Sequence, residues 1–533
     1  KIIMKLNRIK SLIPATAFAL LMGFMTSCVN DLHVDNINPM QTSELDADAL
    51  LNKIYSSFVL TGQVGTDGDK DIEDINEGRS DLYRKSWEMN EFPTGEASWQ
   101  WDDTGLPELL SKTWGADNAS SVGLYYRLFF SITLCNYYLD EVADDGTEDI
   151  KQKRAEVRFI RSLLYYYVMD FYANATFIEH VSLEPGMRYT RDQYFSYIEQ
   201  ELLDIENDLA APGANQYGRV DKVAAWMLLA RLYLNAEVYT GTARWADAEE
   251  YCDKIIDGEY YSLNDNYFDA FRTNNTSNKE IIFPIVFDKV YANGNMFHLI
   301  TQHYAMRDVF SFTTDCWNGP CTLESFYNKY KDGDVRRNQW FVGPVYDTKT
   351  DWNTVVNNRS AWTGKEVKWT HAESTFPVII TAAVTTKEDP TGANSCEGAR
   401  FFKFEFENGI AHHADSDFPI YRYADVLLMK AEARMRQAGG AVDDTTLDLI
   451  NQVHTRAGLP AYTAAEVTYD ELLDERGREL AWEGHRRDDL IRFGKFGGTW
   501  EFKEASDKNH ELFPIPDWVR DGAPGVYTQN PGY

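Results

Sequence analysis

Apolar side chains recur at spacings of three and four over two stretches of the chain, and the pattern breaks up between them. Tyr125, Leu128, Phe129, Ile132, Cys135, Leu139 and Val142 predict an amphipathic helix from about 119. Ala155, Phe159, Leu163, Tyr166 and Met169 predict a second, and further helices are expected at about 190–209, 221–239 and 245–257. The period returns at 420–437, 443–456 and 468–493, with Gly439-Gly440 and Gly458 as helix stops. On the last helix, Asp474–Arg478 and Glu483–Arg487 stand at i,i+4, the spacing of surface ion pairs. Trp226-x-x-Leu229-Ala230-x-x-Tyr233 fits the tetratricopeptide pattern with Ala in place of Gly. Trp245, Ala248, Tyr251 and Ile255 supply its partner helix, although the turn between the two is longer than a standard repeat allows.

Residues 60–118 and 258–418 read differently. Asn, Gly and Asp cluster there, and strand-like runs are confined to Glu280–Phe287, Trp340–Tyr346 and Ala399–Phe406. Helical pairs over 119–257 and 420–493 around a loop-rich, partly β region give a mainly α fold, in one domain over 28–533. Long loops on such a scaffold are where function is expected.

The first residues set the compartment. Lys5, Arg8 and Lys10 precede an apolar run, Leu12–Met25, too short to span a bilayer comfortably. It ends in Met25-Thr26-Ser27-Cys28, small residues before a Cys, which reads as a lipoprotein signal peptide over 1–27 with lipid on Cys28. That leader holds four basic and no acidic side chains, so its removal would take the net charge from -31 to -35. An excess of this size excludes nucleic acid as the main ligand, because phosphate binding needs a basic face. Of the remaining five Cys, Cys316 and Cys321 flank Asn318-Gly319-Pro320 and are placed to bridge across a turn.

No G-x-S-x-G, H-E-x-x-H, P-loop or G-x-G-x-x-G occurs, so the chain is not expected to be an enzyme. His412-His413 with Asp415 and Asp417 offers metal-binding side chains, or a solvated loop. The 74 aromatic residues suggest other chemistry. A sugar has apolar C–H faces and a hydroxyl rim, so a flat ring stacks on the face while Arg, Asp and Asn bind the rim. Rings in loops are the candidates: Trp99-x-Trp101, Tyr291, Trp317, and Trp352 with Trp362. Trp101 and Trp317 are the least periodic.

Several runs carry a family resemblance. They are Tyr421-Arg422-Tyr423-Ala424-Asp425-Val426-Leu427-Leu428-Met429-Lys430-Ala431-Glu432-Ala433, Glu475-Arg476-x-Arg478-Glu479-Leu480-Ala481-x-Glu483-Gly484, Phe513-Pro514-Ile515-Pro516 and the terminal Asn530-Pro531-Gly532-Tyr533. Upstream, Arg154-Ala155-Glu156-x-Arg158-Phe159-x-Arg161 and Gly218-Arg219-Val220-Asp221 also fit. Over nearly the whole chain after Cys28 this resembles the RagB/SusD family of Bacteroidetes outer-membrane nutrient-uptake lipoproteins. In such lipoproteins, acidic residues soon after the Cys, here Asp31 and Asp35, accompany transfer to the cell surface.

Thr61-Gly62-Gln63, Asn90-Glu91-Phe92-Pro93-Thr94 and Tyr233-Leu234-Asn235-Ala236 bring the match closer still to the family's starch-binding member. The resemblance implies a lipid-anchored surface protein that passes starch-like α-glucan to a SusC-like TonB-dependent transporter. It implies an aromatic arc of Trp101, Tyr291 and Trp317, with Arg84 and Asn76 on the hydroxyls. Thr104, or Asp103 beside it, stands where the family's starch binder has an amide. Asp415 and Asp417 match a calcium-associated segment whose third carboxylate is replaced by Asn274 or Asn275. Another glycan, such as a fructan or β-glucan, and a scaffold whose partner is only the transporter are the rival readings.

Overall fold

The computed structural model describes residues 45–62, 70–73, 75, 80–101, 103–385 and 393–533. The helices begin where side chains satisfy the free N–H groups of a first turn. After α1 (Ala47–Ser56) and α2 (Leu82–Glu91), α3 (Ala119–Glu141) opens on Asn118, which accepts from the Ser121 N–H at 3.1 Å. Thr147 caps α4 (Glu148–Tyr172), and Thr190 with Gln193 forms a reciprocal cap on α5 (Arg191–Ile205). Asp221 caps α6 (Lys222–Leu234), which α7 (Trp245–Asp257) follows. The helix expected over 221–239 is interrupted at Asn235, and a short turn of helix, Ala236–Thr240, precedes Gly241 at φ +75°.

The tetratricopeptide-like pair forms as the small residues require. Ala230 on α6 and Ala248 on α7 are fully buried where the two helices pack. The Tyr233 and Tyr251 rings fill the gap beside them, 5.7 Å between centroids. The chain then returns, and α8 (Tyr423–Gln437) packs on α7 and on α9 (Asp444–Arg456). Gly439, Gly440 and Gly458 adopt positive φ, as the stops predicted. Residues 48–533 form one compact unit.

The strand expectations hold only in part. β2 (Ile281–Ile285) pairs antiparallel with β6 (Phe418–Arg422) through an irregular register. The run at 340–346 divides, with Trp340–Phe341 pairing Arg400–Phe401 and Gly343–Pro344 pairing Ile379–Ile380. Among the described residues the sheets are two-stranded ladders that pin loops together.

The helix expected over 468–493 is two helices, α10 (Tyr469–Glu479) and α11 (Arg486–Arg492). Trp482 lies between them at φ +58°, with Gly484 at φ +78°. Its indole is fully buried against Trp87, Trp340 and Phe401, and that packing holds a backbone conformation an L residue otherwise avoids.

The two predicted i,i+4 pairs do not form. Arg478 pairs with Glu471 and Glu475, while Asp474 takes Lys329 at 2.5 Å. Arg487 pairs with Asp170, and Glu483 with Lys403 and Arg422. The break turns these charges inward, into a buried network instead of a solvated face. Arg422 bonds Glu280 at 2.8 Å, Glu479 at 2.6 Å and Glu483 at 2.6 Å. Arg456 also reaches Glu280 and Glu479, and Arg336 holds Asp334, Glu475 and Glu479.

Candidate functional site

The segments that carry Trp101 and Trp317 pair through a short ladder. β1 (Ser98–Trp99) runs antiparallel to β3 (Pro320–Cys321), with Ser98 opposite Cys321 and Trp99 opposite Pro320. The Gln100 N–H donates to the Gly319 carbonyl at 3.4 Å, just beyond that ladder. The other edge of the 317–319 segment is also held. The N–H groups of Trp317, Asn318 and Gly319 donate to the carbonyls of Leu299, Gln302 and Ile300 at 2.9, 2.9 and 2.7 Å. Arg400 further fixes the Asn318 side chain at 2.8 Å. Both tryptophans are half-buried.

Gly319 is required at this crossing. A Cβ there would lie 2.7 Å from the Ile300 carbonyl oxygen and 3.2 Å from the Trp99 ring. Gly319→Ala is expected to cost about 1–3 kcal/mol by overpacking, read as a lowered thermal midpoint.

Trp99 belongs to the floor, not to the surface expected for it. It is buried, edge-on to Phe92 at 5.7 Å and to Trp101 at 6.1 Å. Trp352 and Trp362 are likewise core rings, 1% and 3% exposed. Their indole N–H groups donate to the carbonyls of Phe402 and Thr348, so neither is a loop ring open to ligand.

Arg84 lies beneath this surface, 8% exposed, with its guanidinium 5.8 Å from the Trp99 ring. Asp81 accepts from its backbone N–H at 2.7 Å, and Glu88 accepts from its Nε at 3.1 Å. Its Nη2 is buried without a hydrogen-bond partner and borders a cavity of about 20 Å³ shared with Gly294, Met296 and Ile300. The same segment leads back to Tyr291, which stands 82% exposed on the turn from Asp288 to Ala292. Asp288 builds that turn by accepting from the N–H groups of Val290 and Tyr291, both at 2.7 Å. Thr104 is exposed just before the short helix Leu106–Ser111. Asn76 and Cys28 lie outside the described residues.

Two rings near Trp101 escaped the sequence reading. Tyr304 lies close to the Trp101 side chain. Trp369 stacks on Tyr304 with centroids 5.6 Å apart and planes at 18°. The signal for Trp369 was present as alternation in Lys368-Trp369-Thr370-His371, mirrored by Ser374-Thr375-Phe376-Pro377 across a two-residue turn.

The calcium-associated segment is engaged otherwise. Asp417 accepts from the Phe287 N–H and the Tyr217 hydroxyl, each at 2.8 Å, and burial pushes its carboxyl up to about 6. Asp415 accepts from the Lys289 backbone at 2.8 Å and pairs with its ammonium at 2.9 Å. The Asn275 amide donates to the carbonyls of Ala270 and Asp417. Each carboxylate oxygen of Asp415 and Asp417 accepts an N–H or O–H or meets an ammonium. Among the described residues no three His, Cys, Asp or Glu side chains gather as a metal site. Cys316 and Cys321 are separate buried thiols, not a disulfide, and Cys321 accepts from the Gln100 amide at 3.3 Å.

Two family descriptions match the chain: the SusD family over residues 279–533, and "starch-binding associating with outer membrane" over 32–234. Starch-binding protein SusD of Bacteroides thetaiotaomicron is 32% identical over 543 residues, covering 96% of this chain and 97% of that protein. The chain belongs to the SusD family. The fold agrees. A SusD superfamily protein from Parabacteroides distasonis superposes with a TM-score of 0.69 at 21% identity, over 92% of this chain and all of that one. Surface glycan-binding protein A of B. thetaiotaomicron in complex with laminarihexaose gives 0.68 at 20% identity, over 91% and 98%. The architecture of this chain is mainly helical. Among the described residues no helix is long and apolar enough to cross a membrane.

Proposed function

We propose that this chain is a cell-surface glycan-binding lipoprotein that captures starch-like α-glucan and passes it to a SusC-like TonB-dependent transporter, without catalysing a reaction. The observation that carries this reading is that two loop tryptophans, Trp101 and Trp317, are left half-buried on segments fixed by the β1–β3 ladder. Rigid half-buried rings lose little freedom when a sugar stacks on them. Tyr291 on its turn would add a further face, and Arg84 would support the floor from beneath, under the Trp99 ring. The similarity to Starch-binding protein SusD favours the α-glucan. Lipid on Cys28 would hold the body at the outer membrane.

A β-glucan is the second reading, favoured by the laminarihexaose complex of a protein with this fold. Calorimetric titration with maltoheptaose, laminarihexaose and a fructan oligosaccharide separates the two. Heat with maltoheptaose alone is the expected outcome. Heat with laminarihexaose alone transfers the assignment to β-glucan, and none with any glycan leaves a transporter-associated scaffold.

A further inference from the structure

The rings at the site do not stop at Trp101. Its side chain lies close to Tyr304, and Tyr304 stacks on Trp369. Trp369 belongs to β4 (Lys368–His371), which pairs with β5 (Ser374–Pro377) in a hairpin that places Trp369 opposite Phe376. The turn is made by Ala372 and Glu373, both at positive φ, as a tight right-twisting hairpin requires.

Burial alternates along β4, whereas on β5 Phe376 is half-buried and Ser374, Thr375 and Pro377 are exposed. On β4, Lys368 and Thr370 are exposed and Trp369 is half-buried. One face of the hairpin is therefore solvated, and the other lies against Tyr304 and His303, whose ring meets Trp369 edge-on at 5.8 Å. An isolated two-stranded hairpin is marginal in water, so this contact keeps it in place. Packing alone does not require two large rings left half-exposed with nearly parallel planes. Trp352, by contrast, is closed over and hydrogen bonded.

We propose that Trp369, supported on Tyr304, forms an outer subsite that extends the Trp101–Trp317 surface and binds the farther glucose units of a longer α-glucan. This rests on the glycan-binding reading above and adds the basis for chain-length preference. Trp101 and Trp317 come from the β1–β3 ladder, whereas Trp369 comes from a separate hairpin. A short oligosaccharide seated on the ladder would not reach it, and a long one would.

The test is calorimetric titration of the full chain with maltotriose and maltoheptaose. Trp369→Ala is expected to weaken maltoheptaose roughly fivefold to tenfold, the loss of one stacking contact. Maltotriose affinity should change by less than about twofold, well under the ~1.4 kcal/mol that marks a tenfold step. Trp369→Leu keeps an apolar plug under the hairpin without the flat face, and it should show the same selective loss. Thr370→Ala, on the solvated face, should change neither ligand. Equal losses for both ligands, or none for either, would overturn the outer subsite. If Trp101→Ala with Trp317→Ala leaves maltotriose binding intact, the proposed function fails instead.

Discussion

Arg422→Ala should lower stability by ~3–5 kcal/mol, the loss seen when one partner of a buried ion pair is removed. Arg422 is 1% exposed and bonds three carboxylates, none of which water can reach. Removing it leaves Glu280, Glu479 and Glu483 close together in a dry interior, with only Arg456, Arg336 and Lys403 to share among them. Chemical denaturation of the variant beside the native chain measures the effect. A change below about 1 kcal/mol, the size of an exposed pair, would mean the network is solvated.

The same network sets an acid limit. Burial alone would push the Glu479 carboxyl up, but the guanidinium groups of Arg456, Arg422 and Arg336 overcome it and hold it down to about 2. Burial is likewise overcome at Glu475, chiefly by Arg336. A carboxyl depressed in the fold contributes stability that is complete above its unfolded value, about 4.3. That contribution is lost as pH falls through the folded value. The thermal midpoint should therefore drop between about pH 4 and pH 2, and Glu479→Gln should flatten that limb from an already lowered midpoint. Asp488 acts with the opposite sign. Burial and the Asp170 carboxylate raise it, so its contribution fades as pH rises above about 4.

What could be read in the chain follows from how local each signal is. Helix α7 was legible to the residue, and α3 and α9 nearly so, because period and caps are written within one turn: Asn118 precedes α3, and Asp443 precedes α9. The break at Trp482 was not legible. The apolar period runs through it, and only packing against Trp87, Trp340 and Phe401, distant in sequence, imposes the positive φ. The Asp474–Arg478 spacing resembled a surface pair for the same reason, since Lys329 is its competing partner in space. Loop tryptophans look alike in sequence. Trp101 and Trp317 differ from Trp352 and Trp362 only through the segments that cover them. The Tyr304–Trp369 contact joins residues 65 apart and has no local trace.

That division of the tryptophans makes the second strong prediction. Trp101→Ala and Trp317→Ala should each weaken maltoheptaose binding roughly tenfold, from the loss of a ring contact worth ~1–3 kcal/mol by analogy with base stacking. The double variant should show no measurable heat with maltotriose and at most a weak remnant with maltoheptaose, because only Tyr291 on its turn and the outer Trp369 on Tyr304 remain. Both rings are half-buried, so truncation opens them to water without leaving an enclosed void, and thermal midpoints should fall little. Trp352→Ala and Trp362→Ala should behave in the opposite way. Each removes a buried indole and its hydrogen bond to a carbonyl, which costs ~3–5 kcal/mol of stability, while any folded protein keeps its affinity for the glycan. Stability lost at Trp101 and affinity lost at Trp352 would mean that the frame built by β1 and β3 is a packing device, and that the ligand surface lies elsewhere on the loop-rich half.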